Sequence, residues 1–115
     1  MTNSPKPSKR EATRKKVILA AIDCIYRDGF HAAHTNRIAE EAGYSWGVLQ
    51  YHFGDKDGLL QAVIDYIFDD FTNTLENTTL QGDGLQPRVR QLIDVLWKLF
   101  SRKEYRVSIA ILRNA

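Results

Sequence analysis

Cys24 is the single cysteine among 115 residues. No internal disulfide can form, which excludes the small bridged domains. No stretch approaches the roughly 18 uninterrupted apolar residues of a spanning helix, and residues 1–16 hold no apolar run, so no secretory leader is expected. Proline is scarce (three) and net charge is small (+2), while 43% of residues are hydrophobic, which excludes disorder for most of the length. Internal repeats and low-complexity segments are absent as well. A chain of this length holds one domain, or one compact unit plus part of a second. It can hide roughly 66% of its unfolded surface, enough for a real core. The expectation is a soluble, cytoplasmic, globular chain without a membrane partner.

What is present is unevenly spread. Residues 1–16 carry six bases (Lys6, Lys9, Arg10, Arg14, Lys15, Lys16) against one acid, Glu11, whereas the remainder has ten bases and thirteen acids. A basic end on a mildly acidic body is drawn to polyanions, although a merely solvated tail has the same composition. Pro5 and Pro7 oppose helix, so residues 1–8 are read as a basic, flexible arm.

The rest reads as helices. Ser8 and Glu11 fit a capping box, and Ile18, Ala21, Ile22 and Ile25 mark one face of a helix over 9–28, stopped by Gly29. Asp23 and Arg27 are spaced for an i,i+4 ion pair. Thr35 suits the N-cap of a short helix with Ile38, Ala39 and Ala42 inward, ended by Gly43. Ser45 caps a third, over about 46–52, whose Leu49, His52 and Phe53 share a face. Asp55 caps a fourth, with a stripe of Leu60, Ile64, Ile67, Phe68, Phe71 and Leu75. Gly82-Asp83-Gly84 breaks the pattern. Pro87 fits a first helical residue, and Val89, Leu92, Ile93, Leu96, Trp97 and Phe100 give a fifth amphipathic helix. Residues 104–115 fit either period; helix is preferred because no strand exists to pair with.

The unit from Thr35 to Phe53 is the informative one. Two helices of about seven residues are too short to stand alone, and a glycine in the joining turn lets them cross steeply, as in a helix-turn-helix. The outward face of the third helix would then show Trp46, Gly47, Gln50 and Tyr51. Amides read adenine edges in a major groove, and aromatic rings meet sugars, phosphates or thymine methyls. A surface that packs on a protein partner is the other use of such residues.

The run Arg14…Ile18…Ala21…Gly29-Phe30…Thr35…Ile38-Ala39-Glu40-Glu41-Ala42-Gly43-Tyr44-Ser45…Gly47-Val48-Leu49…His52-Phe53…Lys56-Asp57…Leu59-Leu60 resembles the N-terminal domain of TetR-family transcriptional regulators over about residues 10–70. The resemblance implies an all-α fold: a three-helix DNA-binding domain over 9–55, then a linking helix and a partial helical effector and dimerisation domain over 56–115. It implies a sequence-specific regulator, a ligand-responsive repressor on a palindromic operator, acting as a homodimer with a small-molecule effector and no cofactor. By the same resemblance Thr35, Tyr44, Ser45, His52 and Lys56 fall at or beside the DNA backbone, while Trp46, Gly47, Gln50 and Tyr51 fill base-reading and backbone-gripping positions. Ser45 equally serves as a helix cap alone, and His52 equally suits a structural role bonded to a neighbour. Gln50 departs from the family's usual Tyr, and Trp46 from a small or polar residue. Arg10, Arg14 and Lys15 are candidates for contacts from the arm. Phe71, Trp97 and Phe100 are weak candidates for an effector pocket, core being the commoner role of such residues.

Other classes find less support. Cys24 lies within the first helix, and His31 and His34 lack a third ligand for zinc. No glycine-rich phosphate loop follows a strand. Neither an enzyme nor a metal site is expected. The competing reading is an all-helical protein-interaction module that pairs through Trp46, Tyr51 and Trp97 without nucleic acid.

Overall fold

A computed structural model describes residues 8–114, so the expected arm, apart from Ser8, lies outside the described residues. Six helices run in order: α1 (Lys9–Asp28), α2 (Thr35–Ala42), α3 (Trp46–Phe53), α4 (Lys56–Glu76), α5 (Leu85–Phe100) and α6 (Lys103–Asn114). Local chemistry sets most boundaries. The Ser8 hydroxyl accepts from the Glu11 N–H at 3.1 Å, the Ser45 hydroxyl from the Val48 N–H at 3.4 Å, and the Asp55 carboxylate from the Gly58 N–H at 2.8 Å. Each satisfies one of the unpaired donors at a helix start.

α2 ends in a Schellman motif. The Gly43 N–H bonds to the Glu40 carbonyl (3.1 Å) and the Tyr44 N–H to that of Ala39 (2.8 Å). This requires the left-handed conformation that Gly43 adopts, φ 84° and ψ 25°. The chain then turns into α3 within two residues.

The core lies among α1, α2, α3, α4 and α6. Ile18, Ala21, Ile22 and Ile25 of α1, Ile38, Ala39 and Ala42 of α2, Leu49 of α3 and Leu60, Ile64 and Ile67 of α4 are buried together, as their spacing demands. Val107 and Ile111 of α6 join the same cluster, so residues 104–114 are helical and packed on α1 and α4.

Four expectations are corrected. Thr35 is not the cap of α2 but its first residue; His34 occupies the cap without a side-chain bond, its carbonyl accepting from Ile38 N–H at 3.0 Å. α5 starts at Leu85 after Gly84, which puts Pro87 third, still in the first turn where a missing N–H costs nothing. Asp23 does not pair with Arg27: Arg27 reaches Asp28 (2.9 Å) and Glu41 (2.7 Å), while Asp23 takes Lys103 Nζ at 2.7 Å. The apolar face of α5 is not core, since Val89, Leu92, Ile93, Trp97 and Phe100 are all exposed and only Leu99 is buried. α5 therefore extends the molecule, and the radius of gyration is 16.9 Å against about 13 Å for a compact chain of this length.

The junction between α3 and α4 is tight. A Cβ at Gly58 would sit 1.9 Å from the Phe53 carbonyl oxygen. Glycine to alanine inside a helix ordinarily gains about 1 kcal/mol. At this position Gly58→Ala is expected instead to destabilise by roughly 1–3 kcal/mol, as overpacking does. Urea unfolding of the two chains measures it; a variant as stable as the parent contradicts the described junction.

Candidate nucleic-acid interface

α3 has eight residues and holds to the body by one side. Leu49 is fully buried, while Trp46 and Phe53 are half-buried against the core. The opposite side carries Gly47, Gln50 and Tyr51, all exposed, with Tyr51 at 76%. Their i, i+3, i+4 spacing places them on one helical face. Ser45, also exposed, stands at its start. Trp46 thus departs from expectation: it belongs partly to the packed side, because its ring fills space beside the core.

Gly47 has no internal reason to be glycine. Its φ is not left-handed, and a Cβ there would meet only the Ser45 hydroxyl, at an ordinary 3.6 Å. Within a helix glycine is disfavoured against alanine by about 1 kcal/mol. What it provides is a low spot on the exposed surface where another backbone can approach closely.

Two lysines lie over aromatic rings in the segments that flank α3. The Lys16 ammonium lies 5.4 Å from the centre of the half-buried Tyr44 ring in the turn, and the Lys56 ammonium, at the start of α4, lies 5.2 Å from that of Phe30. Lys16 escaped the sequence reading, since its place beside the turn depends on how α1 crosses α2. Arg10, Arg14 and Lys15 lie within α1 rather than on an extended arm, because Ser8 starts the helix before them. Arg10 and Lys15 are exposed, and Arg14 is half-buried. Thr35 is half-buried at the start of α2, whose first amides have no side-chain acceptor. Asp28 and Glu41 pair with Arg27 and Arg37 where α1 meets α2, whereas the exposed carboxylates of Asp55 and Asp57 flank Lys56 at the start of α4.

His52 is half-buried at the end of α3, its ring edge-on to Tyr51 at 5.2 Å. Its Nδ1 is sealed from solvent, without a partner among the described residues. Burial, then the charges of Arg10 and Arg14, hold its pKa below the ordinary 6.5. Of the three pocket candidates, two are in ring contact. The rings of Phe71 and Phe100 meet at a tilt with centres 5.8 Å apart, and Tyr105 lies 5.0 Å from Phe100; Trp97, on the same helix as Phe100, is 73% exposed.

Known proteins resemble this chain in sequence and in fold. Residues 17–63 match the family model "Bacterial regulatory proteins, tetR family". The chain is 32% identical over 92 residues to the HTH-type transcriptional regulator BetI of Vibrio campbellii, covering 78% of this chain and 46% of that protein. It is 33% identical over 86 residues to BetI of Paraburkholderia phymatum, covering 75% and 43%. The chain spans about half the length of the curated relatives it matches. In fold it is similar to the multidrug binding protein EbrR, solved in complex with imidazole. The TM-score is 0.68 and identity 20%, over 96% of this chain and 61% of that one.

The depressed His52 pKa has a consequence for stability. Between the folded pKa and 6.5 the unfolded chain binds more protons, so the contribution of neutral His52 is complete above about pH 6.5 and falls away as pH drops through the folded value. Thermal melting from pH 7.5 to 5.5 is expected to show a decline that His52→Gln reduces. Equal slopes in both chains rule out this role for His52.

Proposed function

From the premise that the chain belongs to the tetR family of bacterial regulatory proteins, we propose that it binds duplex DNA through α3 and regulates transcription. The observation that carries this reading is the exposed face of α3, where glycine, amide and phenol lie together on a helix whose other side is anchored in the core. Gln50 is assigned a bidentate contact to an adenine, worth roughly 1–3 kcal/mol, and Tyr51 a contact to the sugar-phosphate wall. Gly47 lets the helix approach the groove. Around them Thr35, Tyr44, Ser45, His52 and Lys56 are assigned to the backbone, and Lys16 joins them by its position over Tyr44. Arg10 and Lys15 add positive charge along the entry to α1.

The interaction-module alternative loses ground because one of its three aromatics, Trp46, packs against the core. The family-model match and the relatives named above are regulators, which supports a non-enzymatic role. No described helix is long and apolar enough to cross a membrane. For the whole regulator we infer a homodimer on a palindromic operator in the cytoplasm. A small-molecule effector is inferred by analogy with the multidrug binding protein of similar fold. Residues 9–55 would form the DNA-reading domain and 56–115 the start of the effector domain.

Selection of bound duplexes from a random pool is the direct test. An enriched motif, repeated as a palindrome at one or more helical turns, is the expected result; no enrichment overturns the proposal. On the enriched duplex, Gln50→Ala should lose preference at one base pair, and loss of affinity spread evenly over all positions contradicts the adenine contact.

Gly47→Ala separates function from stability. It should stabilise the fold by up to about 1 kcal/mol while weakening binding to the enriched duplex. Unchanged binding removes Gly47 from the interface.

A further inference from the structure

The end of α3 is gripped by a residue 38 positions upstream. The last carbonyls of a helix lack partners within it. Those of Gln50 and Phe53 are met locally, by the N–H groups of Gly54 (2.8 Å) and Asp55 (3.1 Å). The carbonyl of His52 accepts instead from Arg14 Nη1, at 2.5 Å. The same guanidinium lies over the Phe53 ring, 4.5 Å from its centre. Both contacts fall on the C-terminal turn of α3, where the helix dipole favours a cation. An arginine can meet both demands together, since its planar fork donates at the edge and stacks through its face; a lysine offers only a point charge.

We propose that Arg14 is a positioning residue for α3, setting its tilt against α1 so that Gly47, Gln50 and Tyr51 face the groove together. The proposal rests on the DNA-binding reading above for its consequence, but the grip itself is a property of the free chain. A phosphate contact from Arg14 would act differently. It would strengthen binding to every duplex and steepen the salt dependence by about 0.9, whereas a positioning role acts on discrimination.

Two variants decide it: Arg14→Met keeps the aliphatic stem, and Arg14→Lys keeps the charge. Each is compared with the parent on a duplex selected by the parent and on a scrambled duplex of the same composition, over a range of salt. Amide hydrogen exchange is followed in the free chains. Both variants are expected to lose about tenfold in preference for the selected duplex, with an unchanged salt slope for Arg14→Lys. The amides of residues 50–54 should exchange about tenfold faster, while those of Ile22 and Val63 keep their rates.

Full rescue by Arg14→Lys, with a slope about 0.9 shallower in Arg14→Met, makes Arg14 a phosphate contact and overturns the proposal. Uniformly faster exchange with unchanged preference reduces it to general stability and also overturns it. If the parent selects no duplex, the DNA-binding reading fails by itself. Exchange then still decides the grip, and unchanged rates at residues 50–54 reject it.

Discussion

A helix of eight residues cannot hold its own shape in water, because nucleation costs more than so few hydrogen bonds return. α2 and α3 are both that short. Their existence, and the angle between them, are therefore properties of what they lie on. Leu49, fully buried, contributes about 1.5–3 kcal/mol by leaving water. The Schellman turn at Gly43 and the caps at Ser45 and Asp55 fix where each piece begins and stops. Every functional residue assigned to α3 inherits its direction from these few contacts.

The bed beneath α3 is wider than the three helices of a minimal DNA-reading unit. α6 sends Val107 and Ile111 into the cluster shared by α1 and α4. At the corner before it, Arg102 and Lys103 make ion pairs with Asp70 of α4 and Asp23 of α1, at 3.3 and 2.7 Å. Exposed pairs of this kind add little stability. Their interest is geometric, for two neighbouring residues tie the same corner to two different helices. α5, by contrast, touches this body mainly near its C-terminal end, through Leu99 and Phe100.

The helical half of this picture was legible in the amino-acid order. Ser8, Ser45 and Asp55 announce their helices by type, and Ile18, Ala21, Ile22 and Ile25 announce a buried face by period. Such signals are local and need no knowledge of partners. Thr35 misled because a good capping residue stood beside the actual cap, His34. Long-range pairings stayed hidden, among them Asp23 with Lys103 and Arg14 with the His52 carbonyl. So did the fate of α5, whose amphipathic pattern is sound but whose apolar face lies uncovered among the described residues. At the site, the outward direction of Gln50 and Tyr51 followed from the inward direction of Leu49. The mixed character of Trp46 did not, since a large ring at the first helical position can turn either way.

Duplex binding by this chain requires α3 to be the surface that meets DNA. Backbone amide shifts of the 15N-labelled chain, followed as a short duplex from the selected pool is added, test this most directly. The largest changes should fall on Gly47, Gln50, Tyr51 and the turn before them, with smaller ones on Lys16 and Lys56. Changes concentrated on α5 and α6, with α3 silent, would contradict it.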